Sequence, residues 1–94
     1  MLNIGIIGCG NWSLKILKEI ERNKNFNLKS ILCRNYNLKK IKFENKIIIY
    51  ENIEKFFLEN INDCIYVAGT PELNLLSVYL AKKNNIPLIL EKPL

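Results

Sequence analysis

Residues 5–13 read GIIGCGNWS, and their spacing is that of a turn able to cradle a phosphate. Gly8 would make a tight bend after a β-branched run. Gly10 would let the backbone approach a pyrophosphate, and the amides opening the following helix would face that anion. The full G-x-G-x-x-G pattern puts its third glycine at Ser13. Serine is the smallest polar replacement there, so the close helix–strand packing is loosened without being blocked. On these residues two readings stand: a dinucleotide-binding turn, and a glycine bend with no ligand.

A second candidate position is the exit of the next strand, where a carboxylate would bind the 2′-hydroxyl of a ribose. Cys33 occupies that place and Arg34 follows it. A missing acid beside a guanidinium favours a 2′-phosphate, which leans to NADP. The rival reading makes Arg34 an ordinary solvated loop residue.

The composition narrows the remaining chemistry. The chain has no histidine, which removes His-based triads and His-containing zinc sites. Cys9, Cys33 and Cys64 are odd in number and widely spaced, and are expected as reduced thiols in a reducing compartment rather than a disulfide framework or a metal site. The net charge is +5, but the lysines are spread along the chain among glutamates. A general Lys/Asn/Ile bias accounts for them, and no phosphate-tracking face for nucleic acid emerges. No apolar run approaches the roughly 20 residues of a membrane span. The start, Met1-Leu2-Asn3-Ile4-Gly5, lacks the basic head of a signal peptide. Cytoplasmic location is the expectation.

These positions need elements to hold them. Asn3–Gly8, Leu28–Cys33, Lys46–Tyr50, Cys64–Gly69 and Pro87–Leu90 read as five strands. Between them, Asn11–Asn23 carries Trp12, Ile16, Leu17 and Ile20 at helical spacing. A second helix starts near Asn52 with Ile53, Phe56, Phe57 and Ile61. The third opens at Pro71, carries the stripe Leu73, Leu76 and Leu80, and stops at Asn84-Asn85. Asn35–Phe43 is ambiguous, with Leu38 and Ile41 suggesting a short helix. Apolar strands alternating with helices predict an α/β fold: a doubly wound, five-stranded parallel sheet of Rossmann-like order 3-2-1-4-5, covered on both faces.

With the strands in place, the closing stretch IYVAGTPELNLLSVYLAKKNNIPLILEKPL resembles the second half of the nucleotide domain of the Gfo/Idh/MocA family of NAD(P)-dependent oxidoreductases. That family has a strand ending in A-x-T-P or similar, then a helix, then a strand ending in E-K-P. Here these are Ala68-Gly69-Thr70-Pro71 and Glu91-Lys92-Pro93, and GIIGCGNWS matches the family's opening. The resemblance covers essentially all 94 residues. It implies that Gly8, Gly10 and the Cys9, Asn11 and Trp12 backbone hold the pyrophosphate. Thr70 and Pro71 would line the nicotinamide ribose, and Glu91 would bind near the same ribose. Lys92 would face the reacting carbon, where a cation stabilises a developing alkoxide; the Lys92-Pro93 bond is a candidate for a cis turn. The rival for Glu91-Lys92 is an exposed ion pair.

The chain departs from the family in having Asn74 where a histidine is common and Asn85 where a glycine usually ends the helix. It also stops at Leu94, where the family continues into a substrate domain. The expectation is therefore the cofactor domain of an enzyme acting on sugars, polyols or sugar nucleotides, inactive without its second domain. The alternatives are a non-catalytic nucleotide-sensing or protein-interaction module and a decayed remnant. Apolar surface left uncovered would favour a homo-oligomer or a partner chain.

Overall fold

The β-branched run Leu2–Ile7 forms the central strand β1, and Gly8 ends it. The computed structural model describes residues 2–8, 11–33, 47–59 and 61–90, with 11–14 described by backbone alone. The ambiguous segment Asn35–Phe43 lies outside the described residues. After β1 come helix α1 (Asn11–Arg22), strands β2 (Phe26–Leu32) and β3 (Ile48–Tyr50), and helix α2 (Ile53–Glu59). Strand β4 (Cys64–Val67), helix α3 (Pro71–Asn84) and strand β5 (Leu88–Leu90) complete the fold. All strands run parallel in the order β3-β2-β1-β4-β5, the doubly wound arrangement expected from the alternation of elements.

The sheet separates two apolar clusters. Ile4, Ile6, Leu28 and Ile31 face α1, which contributes Leu17, with Ile16 and Ile20 packed alongside. Ile7, Leu32, Ile65 and Val67 face the other way, against Phe56 and Phe57 of α2 and Ala81 of α3. Between them β2 changes parity. Ile4 pairs with Leu28 but Gly5 pairs with Ser30, so Lys29 is an extra residue in the strand. Such a bulge moves every later side chain to the opposite face of its strand. It sends Leu28 and Ile31, three positions apart, to the same core.

The third helix differs from its expected stripe. Ser77 and Ala81 are its buried residues, with Leu73 and Leu80 packed against the core. Leu76 is exposed at 40%, together with Leu75 and Tyr79. Apolar residues surround α3, so spacing alone does not choose the buried side; the contact with α2 does. Its ends follow expectation. Thr70 caps the first turn, Pro71 takes the first helical position, and Asn85 adopts φ 56°, ψ 43° to accept the left-handed stop.

Cover is also incomplete at one edge. Ile89 and Leu90 of β5 are exposed, and Tyr66 and Ile89 line a hollow of about 270 Å³ beside α1. Helices flank both faces of the sheet as expected, and Ile89 stays partly open across this hollow from Ile16 and Ile20 of α1. Among the described residues no helix is long and apolar enough to cross a membrane.

Candidate functional site

The strand ends decide which loops meet. Ile7 is level with both Leu32 and Val67, and Val67 is level with Leu90. The exits of β1, β2, β4 and β5 therefore share one carboxyl edge, where ligands of open parallel sheets sit. Hydrogen bonds lock the edge: Gly8 N–H donates to the Leu32 carbonyl at 3.0 Å, Cys33 N–H to Tyr50 at 2.9 Å, and Ala68 N–H to Ile7 at 2.9 Å.

Gly8 has φ 117°. Side chains with a Cβ rarely adopt that backbone, so glycine is required for the chain to turn from β1 toward α1. The helix then begins at Asn11 with no acidic residue in its first turn, leaving the partial positive charge of its amino terminus uncompensated. A glycine-only bend beneath a helix amino terminus suits the pyrophosphate of a dinucleotide. Cys9 and Gly10 lie outside the described residues, and Asn11 and Trp12 are placed by backbone only.

The neighbouring turn, Ala68-Gly69-Thr70, is held from both sides. Thr70 Oγ1 accepts from Leu73 N–H at 3.2 Å, and Asn74 Oδ1 accepts from Gly69 N–H at 3.0 Å. A Cβ on Gly69 would come within 2.7 Å of Leu73 Cδ2, so any larger residue there requires the end of the Leu73 side chain to shift. Thr70 and Pro71 stand exposed on the edge. Asn74 is thus more than a departure from a common histidine: it fixes the turn by satisfying the amide just before the helix cap. An amide side chain one turn inside a Thr-Pro helix start was the available signal for it, by analogy with capping boxes.

Leu90 ends β5 on the same edge, and Glu91, Lys92 and the Lys92-Pro93 bond follow it outside the described residues, as does Arg34. Cys33 corrects one expectation. It is disulfide-bonded and almost fully buried beside Ile6 and Ile31, not a reduced thiol at an open edge. Cys64 is a free thiol at the opposite end of β4. Burial, and then the charge of Asp63, push its pKa up, which disfavours a nucleophilic thiolate.

The described residues contain no group of three or more His, Cys, Asp or Glu arranged to hold a metal ion. The edge instead offers backbone amides, small residues and a threonine hydroxyl, a donor set suited to phosphate and ribose oxygens.

Residues 2–94 match the family described as an oxidoreductase family with an NAD-binding Rossmann fold, Gfo/Idh/MocA. Among solved structures, scyllo-inositol dehydrogenase from Lactobacillus casei with bound NAD(H) and scyllo-inositol superposes with a TM-score of 0.85 at 15% identity, over 99% of this chain and 28% of that one. An oxidoreductase from Agrobacterium radiobacter in complex with NAD+, L-tartaric acid and magnesium gives 0.84 at 21% identity, over 98% and 28%. Dihydrodipicolinate reductase from Paenisporosarcina sp. TG-14 gives 0.80 at 17%, over 98% and 37%. These likenesses establish the fold, and the chain spans between about a quarter and two fifths of those proteins' lengths. No curated protein matches the chain in sequence. By its glycine turn, its sheet order and its match over residues 2–94, the chain belongs to the Gfo/Idh/MocA oxidoreductase family, as its NAD-binding Rossmann domain.

Proposed function

We propose that the carboxyl edge around Gly8, Gly69 and Thr70 binds NAD(P), and that the domain serves hydride transfer to or from a sugar, polyol or sugar-nucleotide carbon. The observation that carries the reading is the glycine-only φ of 117° at Gly8, set under an α1 amino terminus without acidic residues. In this reading Gly8, Cys9, Gly10 and the backbone of Asn11 and Trp12 hold the pyrophosphate. Thr70 and Pro71 line the nicotinamide ribose, and Glu91 binds near it. The nicotinamide supplies the hydride acceptor or donor. Lys92 orients the substrate oxygen and stabilises charge developing there. Arg34 takes a 2′-phosphate, which favours NADP over NAD. The substrate class is supported by the names of two structural neighbours, an inositol dehydrogenase and D-galactose-1-dehydrogenase, and the pocket for it belongs to a second domain, in cis or on a partner chain.

Calorimetry tests the cofactor first. The folded chain should bind NADPH more tightly than NADH, Gly10→Val should abolish binding by filling the pyrophosphate path, and Arg34→Ala should remove the preference. No binding at millimolar cofactor refutes the proposal; equal affinities retire only the part about Arg34. In an enzyme completed by a substrate domain, Lys92→Met should lower kcat far more than cofactor affinity, and an unchanged kcat would return Lys92 to a surface charge.

A further inference from the structure

The outer side of α3 carries an apolar stripe whose order has a symmetry of its own. Glu72, Leu76, Tyr79 and Lys83 follow one another at intervals of four, three and four, which places them along one line of a helix. All four are exposed, Tyr79 at 64%. Leu75 flanks the line on one side at 74% exposure, and Leu58 of α2 extends it on the other at 80%. A groove of about 480 Å³ between α2 and α3 runs beside it, lined in part by Leu58, Leu76, Tyr79 and Lys83. Ser77 and Ala81 are buried on the inner side, so the stripe takes no part in the domain's own core.

From these observations we infer that α3 is a self-docking surface, pairing antiparallel with α3 of a second copy of the chain about a two-fold axis. The midpoint of the stripe falls between Ser77 and Val78. Rotation about that point sets Glu72 against Lys83 of the other copy at both ends, and Leu76 against Tyr79 twice in the centre. Glu72 and Lys83 lie about 17 Å apart at 1.5 Å per residue, so both charge pairs form while the four apolar side chains meet. Antiparallel approach also sets the positive amino end of each helix beside the negative carboxyl end of the other. A surface for an unrelated partner has no need to be complementary to itself in both charge and apolarity. A two-fold contact requires it.

Sedimentation of the full chain from about 1 µM to about 1 mM tests the inference. Wild type should pass from monomer to dimer with concentration. Glu72→Lys replaces two attractive pairs with two repulsive ones and should weaken the dimer about tenfold. Glu72→Lys with Lys83→Glu restores opposite charges and should recover the wild-type constant. Tyr79→Glu should leave a monomer whose circular dichroism and thermal unfolding match wild type, since the residue touches no core. A wild-type chain monomeric throughout the range, or a dimer that ignores the single reversal, overturns the proposal. Failure of the double reversal to recover association overturns it equally.

Discussion

Gly5→Ala is a severe test of the packing beneath the sheet, because the glycine sits where a single carbon has nowhere to go. A Cβ there would stand 2.6 Å from Asn62 Nδ2, 2.8 Å from Asn62 Cγ and 2.9 Å from Phe56 Cζ. Neither neighbour yields easily. Asn62 is buried, and its Oδ1 accepts from the hydroxyl of the fully buried Ser30 at 3.0 Å. Phe56 is held edge-on between Tyr50 and Phe57. Forcing the ring aside costs about 1–3 kcal/mol as overpacking; displacing Asn62 instead leaves Ser30 unsatisfied at a similar cost of about 1–3 kcal/mol. The lower entropy of alanine in the unfolded chain returns about 0.5–1 kcal/mol. The expected net loss is about 1–2 kcal/mol, or a fall in Tm on the order of 5–15 °C for a domain of this size. Urea unfolding followed by circular dichroism measures it. The cycle with Asn62→Ala isolates the cause: removing the amide makes room for the methyl, so the double variant should lose less than the sum of the singles. A loss under about 0.5 kcal/mol, or strict additivity in the cycle, would refute the steric account.

Three further outcomes are expected. Gly8→Ala should destabilise by about 1–3 kcal/mol, because φ 117° suits no residue with a Cβ, and should weaken NADPH binding in calorimetry; full retention of both would show that the turn can rebuild. Asn74→Ala strands the Gly69 amide and should cost about 1 kcal/mol in chemical unfolding, whereas Asn74→Asp keeps an acceptor and should cost less. Tyr50 is pushed up to about 12 by burial, then by its hydrogen bond to Glu59 and that group's charge. The folded state thus keeps a proton that the unfolded state releases near pH 10, so stability should fall as pH rises from about 10 to about 12. Tyr50→Phe should flatten that part of a pH–unfolding curve.

Fold class, strand order and helix ends were legible in the chain because each rests on local chemistry: apolar runs broken by glycine, Thr70-Pro71 opening a helix, and an asparagine at 85 able to turn left-handed. Family membership was legible for a related reason, since the motifs lie at strand exits whose order along the chain is itself the fold. The face of α3 was not legible. Leucines surround that helix, and only its contact with α2 decided that Ser77 and Ala81 face inward while Leu76 and Tyr79 face out. Nor was the bulge at Lys29, because one unpaired residue in a strand leaves no mark on composition and reverses the parity of all that follows. The carboxyl edge belongs to the same class. That Gly8, Cys33 and Ala68 come level, and that Asn74 reaches back to Gly69, depends on the register between strands distant in the chain. Register is set by the sum of packing on both sheet faces, a quantity no short stretch of residues contains.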